Sequence, residues 1–178
     1  KLIINCGATH VSASEFGVSA GRLVLESFQV QELKYDYSNQ EEWLSELAAT
    51  LKMMRVSGKA TVIAPSMLLL TKTIKIPHVD EARRAEVIQF EAEKNIPYPI
   101  NEVSWDYEII SDDGVETEIF LTSMKSTAAD DFCMALSQAG VIPESIEASS
   151  ILDYNAWKYC GLENDVILLN VGSRFTNL

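Results

Sequence analysis

Two short segments near the ends of the chain carry residue types that could hold a phosphate. Ile3-Ile4-Asn5-Cys6-Gly7-Ala8 and Leu168-Leu169-Asn170-Val171-Gly172-Ser173 share one pattern: two aliphatics, Asn, an apolar residue, Gly and a small residue. A glycine where a strand runs into a turn lets backbone N–H groups approach an anion's oxygens closely. Each segment by itself also reads as an ordinary tight turn after a buried strand, and only their recurrence in one chain raises the chemical reading above that.

Other reactive residue types sit in patterns with simpler explanations. Glu91 and Glu93, two apart on a helix, point in different directions and suit a solvated face rather than paired acid–base work. Asp112-Asp113 and Asp130-Asp131 fit turn and helix-start preferences. The serines lie in no G-x-S-x-G elbow, and neither histidine, His10 or His78, falls in a ligand or triad pattern, so hydrolase chemistry has no support. Cys6, Cys133 and Cys160 are odd in number without metal-type spacing, which suits free thiols in a reducing compartment. Trp43, Trp105 and Trp157 are far apart and read as packing residues.

The chain has 178 residues, 47% apolar and 22% charged, enough to bury a real core in one domain or two small ones. Its 14 basic against 26 acidic residues give a net charge of -12, which argues against unspecific nucleic-acid binding and against a charge-driven contact with anionic lipid. The longest nearly apolar run, Thr61 to Leu70, is too short for a bilayer and contains Pro65. No secretory signal opens the sequence, and a cytoplasmic location is expected.

The elements that must position the two Asn-x-Gly segments follow from periodicity. Leu2–Cys6, Val11–Phe16 and Leu23–Val30 read as three meandering strands, with Gly17 and Gly21 suited to the hairpin turns. Ser38-Asn39-Gln40-Glu41 is a capping box, and Leu44, Leu47, Leu51 and Met54 form the buried stripe of the helix it opens, closed by Gly58. Thr61–Ala64 reads as a buried strand. Asp80 caps a helix whose stripe is Ala85, Ile88, Ala92 and Ile96, stopped by Ile96-Pro97-Tyr98-Pro99, because two prolines fix φ and drive the residues before them out of helix. Strands at Val103–Ile110 and Glu118–Thr122 flank an Asp112-Asp113-Gly114 turn. Thr127 to Asp130 opens another helix, with Ala129, Phe132, Cys133 and Leu136 inward and Gly140 as its stop. Ile146–Ala148 is a strand, Ser149 or Ser150 caps a helix to Tyr159 stopped by Gly161, and Val166–Val171 is the last strand. This order, β-β-β-α-β, an inserted unit, then β-α-β, implies an α/β fold: a mixed sheet with helices on its faces.

The stretch Ile74 to Tyr107, with Ile76-Pro77, Phe90-Glu91-Ala92-Glu93 and Ile96-Pro97-Tyr98-Pro99, resembles the type IV pilus assembly protein PilM family. The resemblance covers essentially the whole chain and matches an N-terminal portion of the family. It implies an actin-like, ribonuclease H-like subdomain carrying an inserted small α+β subdomain. The expected partition is residues 1–76 with 144–164 as subdomain 1A, 77–143 as subdomain 1C, and 165–178 as the first strand and turn of a truncated second subdomain. Lys59–Pro65 with Thr71–Pro77 resembles the family's strand pair, and Ala139–Glu147 its return to the main subdomain.

The same resemblance makes the two Asn-x-Gly segments equivalent to the family's phosphate hairpins. The implied phosphate contacts are Asn5, Gly7, Ala8 and Thr9, and Asn170, Gly172, Ser173 and Thr176. Both hairpins depart from the family's Asp, having Asn5 and Asn170, and Ser12 stands where the family has a lysine. An amide cannot hold Mg²⁺ by charge or accept a proton, so no catalytic residue or metal ligand is assigned, and ATP with Mg²⁺ is expected only of a longer form. The implied partner is the N-terminal tail peptide of a PilN-like inner-membrane protein, with Val87, Phe90, Ile96, Tyr98 and Trp105 as candidate contacts. The second apolar face through Val87 and Phe90 reads first as another core contact and second as a docking face for a partner segment. A homo-oligomer stays open, and contact with a membrane is expected only through the partner. The other readings of this sequence are a working actin-like ATPase, a type II secretion platform protein and an FtsA-like cell-division adaptor.

Overall fold

The computed structural model describes residues 1–36, 39–161, 166–172, 174, 176 and 177; Ser38, Asp165 and Ser173, which figure in the expectations above, lie outside them. In chain order the elements are β1 (Leu2–Cys6), β2 (His10–Ser19), β3 (Arg22–Glu32), α1 (Gln40–Met53), β4 (Gly58–Ala64), β5 (Leu70–Pro77), α2 (Glu81–Asn95), β6 (Val103–Asp112), β7 (Glu116–Lys125), α3 (Ser126–Gln138), β8 (Val141–Ala148), α4 (Ser149–Tyr159), β9 (Asn170–Val171) and β10 (Thr176–Asn177). They form two compact units: Lys1–Met67 with Asp130–Leu178, and Leu68–Ala129.

The larger unit is built on a mixed sheet in the order β3-β2-β1-β4-β8. β1 runs antiparallel to β2 and parallel to β4, with Ile4 opposite Ala13 on one side and Val62 on the other. β4 is in turn parallel to β8. The three parallel strands therefore all end, at Cys6, Ala64 and Ala148, on the same edge. Ile4, Val11, Trp43, Leu47, Leu51, Val62, Phe132 and Leu136 are fully buried. The Trp43 and Phe132 rings stack at 5.9 Å, joining α1 to α3.

The leucine stripe of α1 behaves as its spacing requires, and Asn39 caps it by accepting from the Glu41 N–H at 3.0 Å. Gly58 does not stop this helix. Met54 is its C-cap and Arg55 takes the left-handed φ of 58°, whereas Gly58 opens β4 and donates to the Gly140 carbonyl at 2.9 Å. Gly17 lies inside β2, and the hairpin turns instead at Ala20-Gly21, where φ is 50° and 73°. Ala148 rather than a serine occupies the N-cap of α4. The strand expected over Val166–Val171 shrinks to Asn170–Val171, because among the described residues no strand lies beside 166–169 to take their backbone hydrogen bonds.

The smaller unit is an antiparallel sheet in the order β5-β7-β6 with α2 as its helix. β4 and β5 are not partners: β5 pairs with β7, where Ile74 and Ile76 pack on Ile119 and Ile88. By backbone contacts the compact unit takes in β5 and spans Leu68–Ala129, where the expected inserted subdomain was 77–143. A second cluster joins Ala92, Ile96, Val103 and Leu121, and Trp105 and Tyr107 lean on both. Ala85 is exposed; one turn before Ile88 the inward position belongs to half-buried Arg84, 3.5 Å from Asp112. Ile96, forced out of helix by Pro97, ends α2 in extended backbone at φ -86° and ψ 124°. Gly114 takes φ 83° between β6 and β7, and the Asp113 carboxylate accepts from the N–H groups of Val115 at 2.8 Å and Glu116 at 2.7 Å. Among the described residues no helix is long and apolar enough to cross a membrane.

Trp43→Ala is expected to cost about 3–5 kcal/mol of stability, since it removes a fully buried ring and leaves a cavity; urea unfolding measures it. The two backbone N–H donors hold the Asp113 carboxyl below its ordinary value of 3.8. A carboxylate with a lowered folded pKa contributes stability above the unfolded value and loses it as pH falls through the folded one. The stability difference between wild type and Asp113→Ala is therefore expected to hold constant from neutral pH to the ordinary carboxylate range and to shrink below pH 3.8 in acid titrations of the unfolding midpoint.

Candidate functional site

The turn between β1 and β2 is held from one side. The Trp43 indole N–H donates to the Gly7 carbonyl at 3.2 Å, the Tyr35 hydroxyl to the Ala8 carbonyl at 2.6 Å, and the Leu33 N–H to the Thr9 carbonyl at 2.8 Å. In a trans peptide the N–H points opposite to the preceding C=O. Fixing the Gly7 and Ala8 carbonyls therefore turns the N–H groups of Ala8 and Thr9 away from the indole and the phenol. The Gly7 N–H itself closes the turn on the His10 carbonyl at 2.9 Å, and a Cβ at Gly7 would stand 2.9 Å from that oxygen. No other residue fits without shifting the turn.

A cavity of about 290 Å³ opens beside it, lined by residues 5–10, Ser12, Val30, Ala64, Pro65, Ser66, Ser149, Asn170, Gly172 and Arg174. It sits at the carboxyl ends of the parallel strands, where open α/β sheets bind ligands. Both Asn-x-Gly segments thus reach the same cavity. Of the expected phosphate contacts, Asn5, Gly7, Ala8, Thr9, Asn170 and Gly172 line it, while Thr176 lies in β10 and is not among its walls. The Asn170 amide N–H donates to Asp153 on α4 at 2.8 Å, tying β9 to that helix. Thr9 is buried, and its hydroxyl lies 2.9 Å from the His10 ring.

The walls do not suit a divalent cation such as Mg²⁺. Among the described residues their side-chain donors are amides, hydroxyls, one imidazole, one guanidinium and the Cys6 thiol, with no carboxylate. Burial pushes the Cys6 thiol far above an ordinary thiol, so it offers no thiolate. Among the described residues no group of three or more His, Cys, Asp or Glu is placed to hold a metal. Sequence reading named neither Pro65, Ser66 and Ser149 nor Arg174 as cavity residues. Their common signal was positional, since each directly follows a strand that ends on this edge or sits in the turn after β9.

On the smaller unit the candidate contacts divide by exposure. Phe90 is 57% and Tyr98 40% exposed, each beneath a lysine: Lys94 Nζ is 3.9 Å from the Phe90 ring centre and Lys125 Nζ 4.3 Å from that of Tyr98. Ile96 is buried, and Val87 and Trp105 are half-buried against the core clusters.

This architecture recurs in known proteins. A solved PilM-PilN type IV pilus biogenesis complex contains a chain that superposes with a TM-score of 0.70 at 18% identity, over 88% of this chain and 51% of that one. The chain thus spans about half the length of that relative. Weaker likenesses are the cytoplasmic domain of EpsL, an inner membrane component of the type II secretion system of Vibrio cholerae (TM-score 0.46, 9% identity, 82% and 55% of the two chains), and a Bacteroides thetaiotaomicron protein of actin-like ATPase fold (0.45, 10%, 88% and 55%). No curated protein matches in sequence. The type IV pilus assembly protein PilM family matches residues 4–158. With a family match over most of its length and an α/β fold shared with a chain of that complex, the chain belongs to the PilM family of type IV pilus assembly proteins.

Proposed function

We propose that this chain works as a cytoplasmic scaffold of a type IV pilus assembly platform. It holds the N-terminal tail of a PilN-like inner-membrane protein, reaches the membrane only through that partner, and does not hydrolyse ATP. The observation that carries the reading is the family match over residues 4–158, joined to a fold shared with the PilM-PilN complex. The absence of hydrolysis is inferred from the cavity walls. With Asn5 and Asn170 in the two turns, no carboxylate among the described lining residues is there to hold Mg²⁺ by charge or to serve as the base for an attacking water.

Phe90 and Tyr98 are the side chains most suited to meet the tail, being aromatic, exposed and already ordered by a lysine over each ring. Val87, Ile96 and Trp105 then act by fixing the backbone beneath them, since their own surfaces are largely spent on the core.

A synthetic peptide from the N-terminus of a PilN-like protein is expected to bind with micromolar or tighter affinity in calorimetry. Phe90→Asp is expected to weaken it about tenfold or more while leaving the thermal midpoint near that of the parent. A peptide that gives neither heat nor chemical-shift change overturns the scaffold reading. ATP with Mg²⁺ is expected to show no turnover above background, and turnover abolished by changing Asn5 would establish an ATPase instead.

A further inference from the structure

We propose that the outer edge of β3 is a dimerisation surface, on which β3 of a second copy of this chain adds as an antiparallel strand and joins the two five-stranded sheets into one. β3 ends the sheet order β3-β2-β1-β4-β8, and among the described residues no strand pairs with its outer side. It is eleven residues long, and every one of them except Ser27 is exposed. Leu23, Leu25, Phe28 and Val30 are each half exposed or more. An open edge of this length and apolar content is a template for pairing with another chain.

A β-bulge gathers those four side chains on one face. Ser27 lies opposite Glu15 and Leu25 opposite Phe16, so Glu26 is the extra residue on β3. Glu26 and Ser27 both point to the face of Glu15 and Gly17. The Ser27 hydroxyl donates to the Glu15 carboxylate at 3.0 Å, and the Glu26 carboxylate fills the space that a side chain on Gly17 would take. The strand's alternation therefore restarts at Ser27, and Leu23 and Leu25 before the bulge share a face with Phe28 and Val30 after it. A strand that meets its own copy about a two-fold axis needs a register in which both members of every opposed pair share a face. β3 has one such register, centred between Glu26 and Ser27. It sets Leu23 against Val30, Leu25 against Phe28, Val24 against Gln29 and Arg22 against Gln31 of the other copy. A slip of one residue sets apolar side chains against the opposite face, and a slip of two breaks the match at the bulge. This self-complementarity selects a second copy as the occupant, because each apolar pair then forms twice. The like charges it brings together are the two Glu26 carboxylates, which become neighbours at the centre.

The test is sedimentation velocity of the whole chain from low- to high-micromolar concentration. A contact one strand deep is smaller than the about 800 Å² per partner of a standard interface, so a dimer of micromolar affinity is expected. Two copies of net charge -12 repel each other, and added NaCl screens that repulsion, so the dimer is expected to tighten with salt. Glu26→Gln is expected to tighten it about threefold by removing the central carboxylate pair. Leu25→Lys is expected to weaken it about tenfold or more, with a thermal midpoint near that of the parent. Disulfide cross-linking reads the register, in a Cys160→Ser background that removes the exposed native thiol. Chains carrying Leu23→Cys, mixed with chains carrying Val30→Cys, are expected to form the mixed disulfide. Leu23→Cys mixed with Phe28→Cys, two residues out of register, is expected to form little of it. These cysteines are small changes at exposed positions and decide the register even where the lysine variant does not fold. A chain that stays monomeric over the whole range overturns the proposal, whether the edge is left open or taken by a strand of another protein. So does a dimer that a folded Leu25→Lys leaves intact, or one that cross-links no better in register than out of it.

Discussion

The larger unit depends on how the turn after β1 is fastened. Three consecutive carbonyls, at Gly7, Ala8 and Thr9, are taken by Trp43, Tyr35 and Leu33. Trp43 has two tasks at once, because its ring is buried against Phe132 while its indole N–H reaches the turn. Burying an indole N–H costs free energy unless it is paired, and the Gly7 carbonyl pairs it. Core packing and turn geometry are thereby coupled: the helix that closes the core also sets the orientation of the backbone at the cavity. Gly7 completes the arrangement, as a Cβ there would press on the His10 carbonyl.

The smaller unit is organised by local stereochemistry. Pro97 forces Ile96 into extended backbone, which ends α2 and leaves Ile96 buried with Val103 and Leu121 rather than continuing the helix. At the opposite end of the β6–β7 pair, Asp112 and Asp113 organise the turn. Asp112 accepts from Gly114, lies 2.8 Å from the His78 ring and sits near Arg84; the Gly114 bond foremost, and then the His78 contact, lower its pKa. These carboxylates are structural anions spent on backbone donors.

The cavity chemistry is one of neutral and positive groups in an acidic chain. Amides stand where charge would be needed to hold a divalent ion, and the walls offer a guanidinium, hydroxyls and a helix N-terminus instead.

Much of this was legible in the residues alone. The α1 leucine stripe, the Pro97 helix stop, the Asp112-Asp113-Gly114 turn and the meander order all follow from local rules, in which side-chain period or fixed φ decides the outcome. The recurrence of Asn-x-Gly at the two ends pointed to one cavity, which the structure assembles. What local pattern could not decide was partnership between strands. A run such as Leu70–Pro77 reads equally well beside β4 or β7, and burial of Ile74 and Ile76 against Ile88 and Ile119 settles it. Val166–Leu169 is as apolar as any strand in the chain yet forms none, since a strand exists only where a neighbour takes its backbone hydrogen bonds. Likewise Ile96 and Phe90 are both apolar and close in sequence, and only tertiary packing buries the first and exposes the second. Sequence determined which segments could be helix, turn or strand; contacts between distant segments decided which strands met, which apolar side chains stayed exposed, and which residues came together at the cavity.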